Sequence, residues 1–302
     1  MKKISIQARI LKRIFRHFIK PMLVNAGGVE DLKTASRGEG PLSRWLSRII
    51  PQADEKIMID HIYAEWLGNP DAKGALLYLH GGAFLVGSPK SHRGLVKNIT
   101  KSSSFRALSI DYRLAPKHKF PAALEDAEKA YDWLLQTGYA PENIAVAGDS
   151  AGGCLTLALL LKLKEVGKPL PACAVTMSPW TDLTGSGASI RLRNNIDDML
   201  DGTKLTETAA LYHGDTPATH PLVSPLFADL KNLPPLLIQV GTDEILWDDA
   251  CSFAEKAIKA GNDCTLEIYE NMPHVFQLGA DFVPESKEAV KKITTFINDK
   301  IN

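Results

Sequence analysis

Asn143 to Leu163 reads NIAVAGDSAGGCLTLALLLKL. Ile144 to Ala147 is a short apolar run with the character of a buried strand. Gly148-Asp149-Ser150-Ala151-Gly152 follows at once, and Cys154 to Leu163 then continues as a helix pattern apolar on every side. Such a helix belongs in an interior. The stretch therefore predicts a strand, an abrupt glycine turn and a buried helix, with Ser150 at the corner. A serine hydroxyl is a weak nucleophile at neutral pH and must be exposed to both a reactant and a base. The G-x-S-x-G turn lifts Oγ above the sheet, while its glycines let neighbouring backbone close in. The new helix also aims its first N–H groups at the point where negative charge would develop. Taken alone, the same residues could be a glycine turn capped by serine, so the rest of the chain has to decide.

Length and composition set the frame. The 302 residues are 45% hydrophobic, enough for a sizeable core in one large α/β domain or two small ones. Lys and Arg balance Asp and Glu at 35 each. That neutrality argues against a general binder of nucleic acid or of membrane surfaces. Cys154, Cys173, Cys251 and Cys264 sit in apolar periodic segments without paired spacing, which reads as reduced packing thiols of a cytoplasmic protein. Neither a disulfide framework nor a zinc site is expected. Cys154, one helical turn beyond Ser150, is a nucleophile in principle, but a buried apolar thiol is inert.

Met1 to Val24 carries Lys2, Lys3, Arg9, Lys12, Arg13, Arg16 and Lys20 and no acid. Its apolar residues fall mostly on one helical stripe. It has neither the uninterrupted apolar core nor the cleavage site of a secretory signal, and no stretch of the chain is long enough for a membrane span. A helix covering the body of the protein is favoured over an interfacial anchor. Gly27 to Ser47 reads as a linker with short helix. Ile57 to Leu67 alternates as antiparallel edge strands. Further strands are expected at Leu76–Leu79, Arg106–Tyr112, Ala172–Met177, Leu236–Val240 and Thr265–Tyr269. Helices are expected at Pro121–Leu135, Asp248–Ala260 and Pro284–Ile301. Strands alternating with long helices imply right-handed crossovers and a mostly parallel sheet covered on both faces. Ligands of such sheets bind beyond the carboxyl ends of the strands. Leu183 to Leu226 breaks the alternation with NNIDDMLDG and TKLTETAALYHG. An insertion at that end is placed to cap a pocket, and packing against the N-terminal helix is expected.

Ser150 needs an acid and a histidine later in the chain, in that order. Of eight histidines only His274 follows the last strand, and it is the expected general base. The strand at Leu236–Val240 runs into Gly241-Thr242-Asp243-Glu244. Asp243, just past the strand end, is the expected partner of His274. Glu244 would point the other way if strand alternation persisted, while Asp248 and Asp249 read as caps of the next helix. For the oxyanion, Ala151 supplies one backbone N–H, and the turn His80-Gly81-Gly82-Ala83 supplies others through Gly81 and Gly82. Each of these signals is weak alone; in this order they reinforce one another.

At this point the chain resembles the bacterial hormone-sensitive-lipase-like family of α/β-hydrolases. The stretches that carry the resemblance are HGGAFLVGS (80–88), DYRLAPKHKFPAALED (111–126), GDSAGG (148–153), SPWTDL (178–183) and GTDEILWDD (241–249), followed by His274. They cover the chain from about Ile57 to its end. The resemblance implies an α/β-hydrolase fold with a mostly parallel central sheet, helices on both faces and a helical cap. Residues 1–50 would form the N-terminal part of the cap, 183–226 the cap insertion, and 51–182 with 227–302 the catalytic domain. It implies a carboxylesterase acting on short- to medium-chain acyl esters through Ser150, Asp243 and His274, with no cofactor and no metal. The partner is a small-molecule ester, with no nucleic acid and no stable membrane insertion, and a homodimer is compatible with the resemblance. Three departures stand out: Ala83 at the third glycine of HGGG, Lys117 and Lys119 in place of the usual Glu and Pro, and Val275 where glycine usually follows the histidine. A non-catalytic binder of the same fold, or an amidase, lactonase or acyltransferase using the same triad, is the rival reading.

Overall fold

The computed structural model describes residues 4–21 and 52–301. Gly27 to Ser47, expected as a linker, lies outside them, as do all of residues 22–51. Within the described residues one eight-stranded sheet forms the centre. Its strands are β1 (Glu55–Ile59), β2 (Ile62–Leu67), β3 (Gly74–Leu79), β4 (Phe105–Asp111), β5 (Ile144–Asp149), β6 (Cys173–Met177), β7 (Leu236–Asp243) and β8 (Cys264–Pro273). They lie in the order β1-β2-β4-β3-β5-β6-β7-β8. The β1–β2 hairpin is antiparallel and joins β4 antiparallel; every other pairing is parallel.

The helices are α1 (Ile6–Ile14, continued by a π turn to Ile19), α2 (Pro89–Thr100), α3 (Ala122–Gln136), α4 (Ala151–Glu165), α5 (Ala188–Leu192), α6 (Leu205–His213), α7 (Trp247–Lys259) and α8 (Pro284–Lys300). Side-chain alternation divides the core into two sides. Ala75, Leu77 and Leu79 of β3 pack with Ala127 and Tyr131 of α3 and Leu155 of α4. Leu76 and Tyr78 of the same strand face Val96 and Ile99 of α2 and Ile293 and Ile297 of α8. As its apolar sequence requires, α4 is buried nearly all round, exposing part of its surface only toward its lysine-bearing end. Beyond the sheet, Ala8, Leu11 and Phe15 of α1 are buried against Met272, Phe276 and Val283.

The expected strands and the helices α3, α7 and α8 are present with ends moved by a few residues. The short α5 and the longer α2 were not expected, and α2 is the one packed on the sheet. It begins with a capping box, in which the Ser88 hydroxyl accepts from Ser91 N–H, and with Pro89 in its first turn.

Candidate active site

The elbow is assembled at the carboxyl ends of β3, β5, β7 and β8. Ser150 stands between β5 and α4 with φ 53° and ψ −119°, a conformation that non-glycine residues rarely hold. Its neighbours hold it there. Ser150 N–H donates to Met177 O at 2.8 Å, and Ser150 O accepts from Trp180 N–H at 3.1 Å. The flanking glycines admit the backbone: a Cβ on Gly148 would lie 2.3 Å from Gly152 O, and one on Gly152 would lie 2.0 Å from Leu79 O. Only glycine lets α4 start so close to the end of β3.

His274 follows β8 directly and is 2% exposed. Its Nδ1 lies 2.8 Å from Oε2 of Glu244, not from Asp243. The carboxylate in contact with His274 is therefore Glu244 and not the expected Asp243. The physical reason is a register shift between Gly241 and Asp243, where β7 leaves regular pairing with β8. Strand alternation does not persist past Gly241, so Glu244 turns inward. Glu244 is fully buried, and Oε1 accepts from Gly241 N–H at 2.7 Å and from Ser178 Oγ at 2.8 Å. Asp243 points to α1 instead, where its Oδ2 meets Lys12 Nζ at 2.5 Å.

Burial opposes a charge on His274, but the hydrogen bond and charge of Glu244, aided by Asp197 and Asp149, outweigh it and hold the imidazole above its ordinary pKa. With Nδ1 engaged by Glu244, Nε2 is the nitrogen left for Ser150. No hydrogen bond joins the two side chains among the described residues, a common arrangement before substrate fixes the nucleophile. Sequence reasoning placed Ser178 only within a motif. Its hydroxyl donates to Glu244 and accepts from Val275 N–H at 3.1 Å, tying the acid to the histidine loop. Both Ser178 and Val275 have positive φ, 48° and 47°. Val275, the departure from glycine, adopts the left-handed conformation nonetheless.

The oxyanion turn also needs a correction. Gly81 N–H donates to Asp149 Oδ1 at 3.0 Å and is consumed there. By contrast, the N–H groups of Gly82, Ala83 and Ala151 meet no acceptor among the described residues. Gly82 and Ala151 thus keep the unbonded N–H groups expected of them, Ala83 has one as well, and Gly81 does not. Asp149 anchors the turn. It also accepts from Tyr78 Oη at 2.7 Å and lies 3.2 Å from His92 Nε2. Burial works against its charge, yet His92 and Tyr78 outweigh that and keep its carboxyl below the ordinary range. His80 stacks on Tyr112 at 4.2 Å, and burial pushes it down to about 3, so it stays neutral.

The insertion sits over these loops. Tyr212 of α6 stacks on Phe84 of the oxyanion turn at 3.6 Å. Asp197 accepts from Ile245 N–H at 2.8 Å, and Arg193 donates to Thr242 O and covers the Trp247 ring. Asp248 and Asp249, read as helix caps, instead bind backbone N–H groups of Ser189 and of Thr181 and Asp182. Lys12 and Arg16 of α1 reach Asp198 at 3.5 and 2.6 Å, so the insertion packs with the N-terminal helix. Cys154 is buried, and desolvation pushes its thiol far up, which suits packing. Among the described residues no cluster of His, Cys, Asp and Glu could hold a metal ion, and no helix is long and apolar enough to cross a membrane.

Comparison with known proteins places this geometry in company. A family model described as alpha/beta hydrolase fold matches residues 76–278. An acetyl-hydrolase from Streptomyces hygroscopicus is 42% identical over 249 residues, covering 82% of this chain and 83% of its own. An esterase from Acinetobacter venetianus is 38% identical over 227 residues, 73% of each chain. Among solved structures, an esterase of the bacterial hormone-sensitive lipase family matches with TM-score 0.89 and 37% identity over the whole of both chains. The protein EstE5, in crystals soaked with p-nitrophenyl butyrate, matches with TM-score 0.87 and 37% identity over 98% of this chain and 99% of its own.

Proposed function

Because the chain belongs to the α/β-hydrolase-fold family, on its bacterial hormone-sensitive-lipase-like branch, we propose that it hydrolyses carboxylic esters through Ser150, His274 and Glu244. The observation that carries the reading is the chain of contacts beneath the elbow. Ser178 fixes Glu244, Glu244 orients His274, and His274 keeps Nε2 for the strained serine. Relatives named acetyl-hydrolase and esterase support an ester as the substrate class.

The reaction runs in two halves. Ser150 Oγ attacks the ester carbonyl carbon while its proton passes to His274 Nε2. The carbonyl oxygen becomes an oxyanion held by the N–H groups of Gly82, Ala83 and Ala151, each such donor being worth about a hundredfold or more in rate. The carbon–oxygen bond to the alcohol breaks, and the alcohol leaves with the proton from His274. Water then gives its proton to His274, attacks the acyl-serine, and the carboxylic acid departs as Ser150 regains its proton. Glu244 holds the imidazole in the Nδ1–H tautomer and balances its charge in both halves. Residues 183–226 and α1 form the cap in this reading, with Tyr212 of the insertion stacked on Phe84 of the glycine turn. The four cysteines are free, which suits a reducing compartment such as the cytoplasm.

The test is a series of p-nitrophenyl esters, from acetate to palmitate, on the wild type and Ser150→Ala. Hydrolysis of short esters that falls about 10⁴-fold or more in the variant is expected. Wild-type rates in Ser150→Ala would overturn the assignment, and the decline of rate with chain length sizes the pocket.

A further inference from the structure

The helix α1 is apolar on two sides, and the fold uses only one. Ala8, Leu11 and Phe15 are buried against the loop that carries His274. Ile6, Ile10, Ile14 and Phe18 recur every fourth residue and are 68, 47, 39 and 70% exposed. Scattered exposed apolar residues are ordinary, but four on one helix face make a patch. Arg9 and Arg13, both exposed, run beside it. No acid occurs from Met1 to Val24, although the whole chain is formally neutral, so seven cations are concentrated in a segment with no carboxylate of its own. Lys12 and Arg16 are held by Asp243 and Asp198, and Lys20 donates to backbone carbonyls of Asn194 and Asp197. Arg9, which donates to Ile4 O, and Arg13 are exposed and meet no carboxylate among the described residues.

The charge selects the occupant. A second copy docked by two-fold symmetry would set the same arginines against each other, because such an interface is self-complementary. An apolar stripe with a basic flank and no acid is instead the pattern of a helix lying in the plane of an anionic lipid interface. We propose that α1 docks the protein on an anionic lipid surface, with Ile6, Ile10, Ile14 and Phe18 in the acyl boundary and Arg9 and Arg13 at the headgroup phosphates. Lys12 donates to both Asp243 and Asn271 O, so the docked helix sits directly on the loops of Glu244 and His274. On the esterase reading above, docking would bring the site to esters held in or near that surface. The docking itself does not depend on that reading.

The experiment is co-sedimentation of the full chain with vesicles of phosphatidylcholine alone and of phosphatidylcholine mixed with phosphatidylglycerol. The expected result is at least about tenfold more protein bound to the anionic vesicles, lost in about 1 M NaCl, where charges are screened within about 3 Å. Arg9→Glu/Arg13→Glu and Ile10→Ser/Phe18→Ser should each reduce binding about tenfold or more while hydrolysing soluble p-nitrophenyl butyrate like the wild type. Binding that ignores lipid charge, salt or either double variant overturns the proposal, as does no binding. A wild-type dimer that Ile10→Ser/Phe18→Ser converts to monomer, with no vesicle binding, would assign the stripe to a second copy and also overturn it. Ser150→Ala should bind vesicles normally, so a failure of docking and a failure of the esterase reading are told apart.

Discussion

A carboxylate that orients a catalytic histidine must be dry, fixed, and satisfied on the oxygen that the histidine does not use. Glu244 meets these conditions through Gly241 N–H and Ser178 Oγ. Asp243 has a lysine and partial exposure instead. Glu244→Gln should lower kcat about 10⁴-fold, the scale seen when a triad acid becomes an amide. Its pH profile should move as well. In the proposed mechanism His274 acts as base when neutral, and Glu244 holds its pKa above the ordinary 6.5. Activity therefore rises with pH through that raised value. Removing the charge leaves burial less opposed, so the acid limb of kcat/KM in Glu244→Gln should shift to lower pH. Asp243→Asn, measured in parallel, should stay within about tenfold of wild type, since a partly exposed ion pair is worth little. Equal losses in the two variants would count against the assignment. The placement of Ser150 at the strand-to-helix corner and of His274 after the last strand was legible from order and motif alone, but which of two adjacent carboxylates meets His274 was not. That choice depends on a register shift after Gly241 that no side chain in the sequence announces. Likewise, Gly81 could not be told from Ala83 until its N–H was seen to end on Asp149.

Between elements, the decisive contact is the seating of α4 on the end of β3. A methyl at Gly152 would meet Leu79 O at 2.0 Å and His80 O at 2.5 Å, and neither is a flexible side-chain end that could move aside. Gly152→Ala should therefore cost about 3 kcal/mol, at the upper end of overpacking penalties, read as a lowered urea midpoint. It should also lower kcat by displacing Ala151 and Ser150. An unchanged midpoint would mean that the elbow is looser than this approach requires. Strands with continuous apolar runs were legible because burial on both faces leaves no other composition. The helix α2 was not, because PKSHRGLVKNIT mixes four basic or histidine side chains with few large apolar ones. Its polar members are paired inside the fold: His92 lies against Asp149 and Arg93 against Glu65. Buried charge of this kind hides a core-facing helix from any hydrophobic pattern. Its signal lay in Ser88 and Pro89, the cap and first turn.

Across the whole molecule, the Glu65–Arg93 pair joins the antiparallel hairpin edge to the parallel body. Arg93 Nε donates to Glu65 Oε2 at 2.7 Å, and Tyr63 Oη donates to Oε1 at 2.8 Å. Glu65 is 1% exposed and Arg93 5%. Taking two charges out of water costs about as much as their attraction returns, but removing Arg93 leaves the buried Glu65 carboxylate without the opposite charge at 2.7 Å. Arg93→Met should therefore destabilise the protein by about 3–5 kcal/mol, and Arg93→Met/Glu65→Leu should regain most of that loss. Thermal or urea unfolding of the two single variants and the double one closes the cycle. Near-additive losses would show that hairpin and α2 are held by their apolar packing, Leu67 against Val96 and Ile99, and that the pair does not couple them. Strong coupling would mean that the hairpin edge depends on an ion pair for its attachment, so its melting should be the first event when Arg93 is replaced. Hydrogen exchange resolved over Glu55 to Leu67 reads that event directly, with faster exchange there than in β5 and β6.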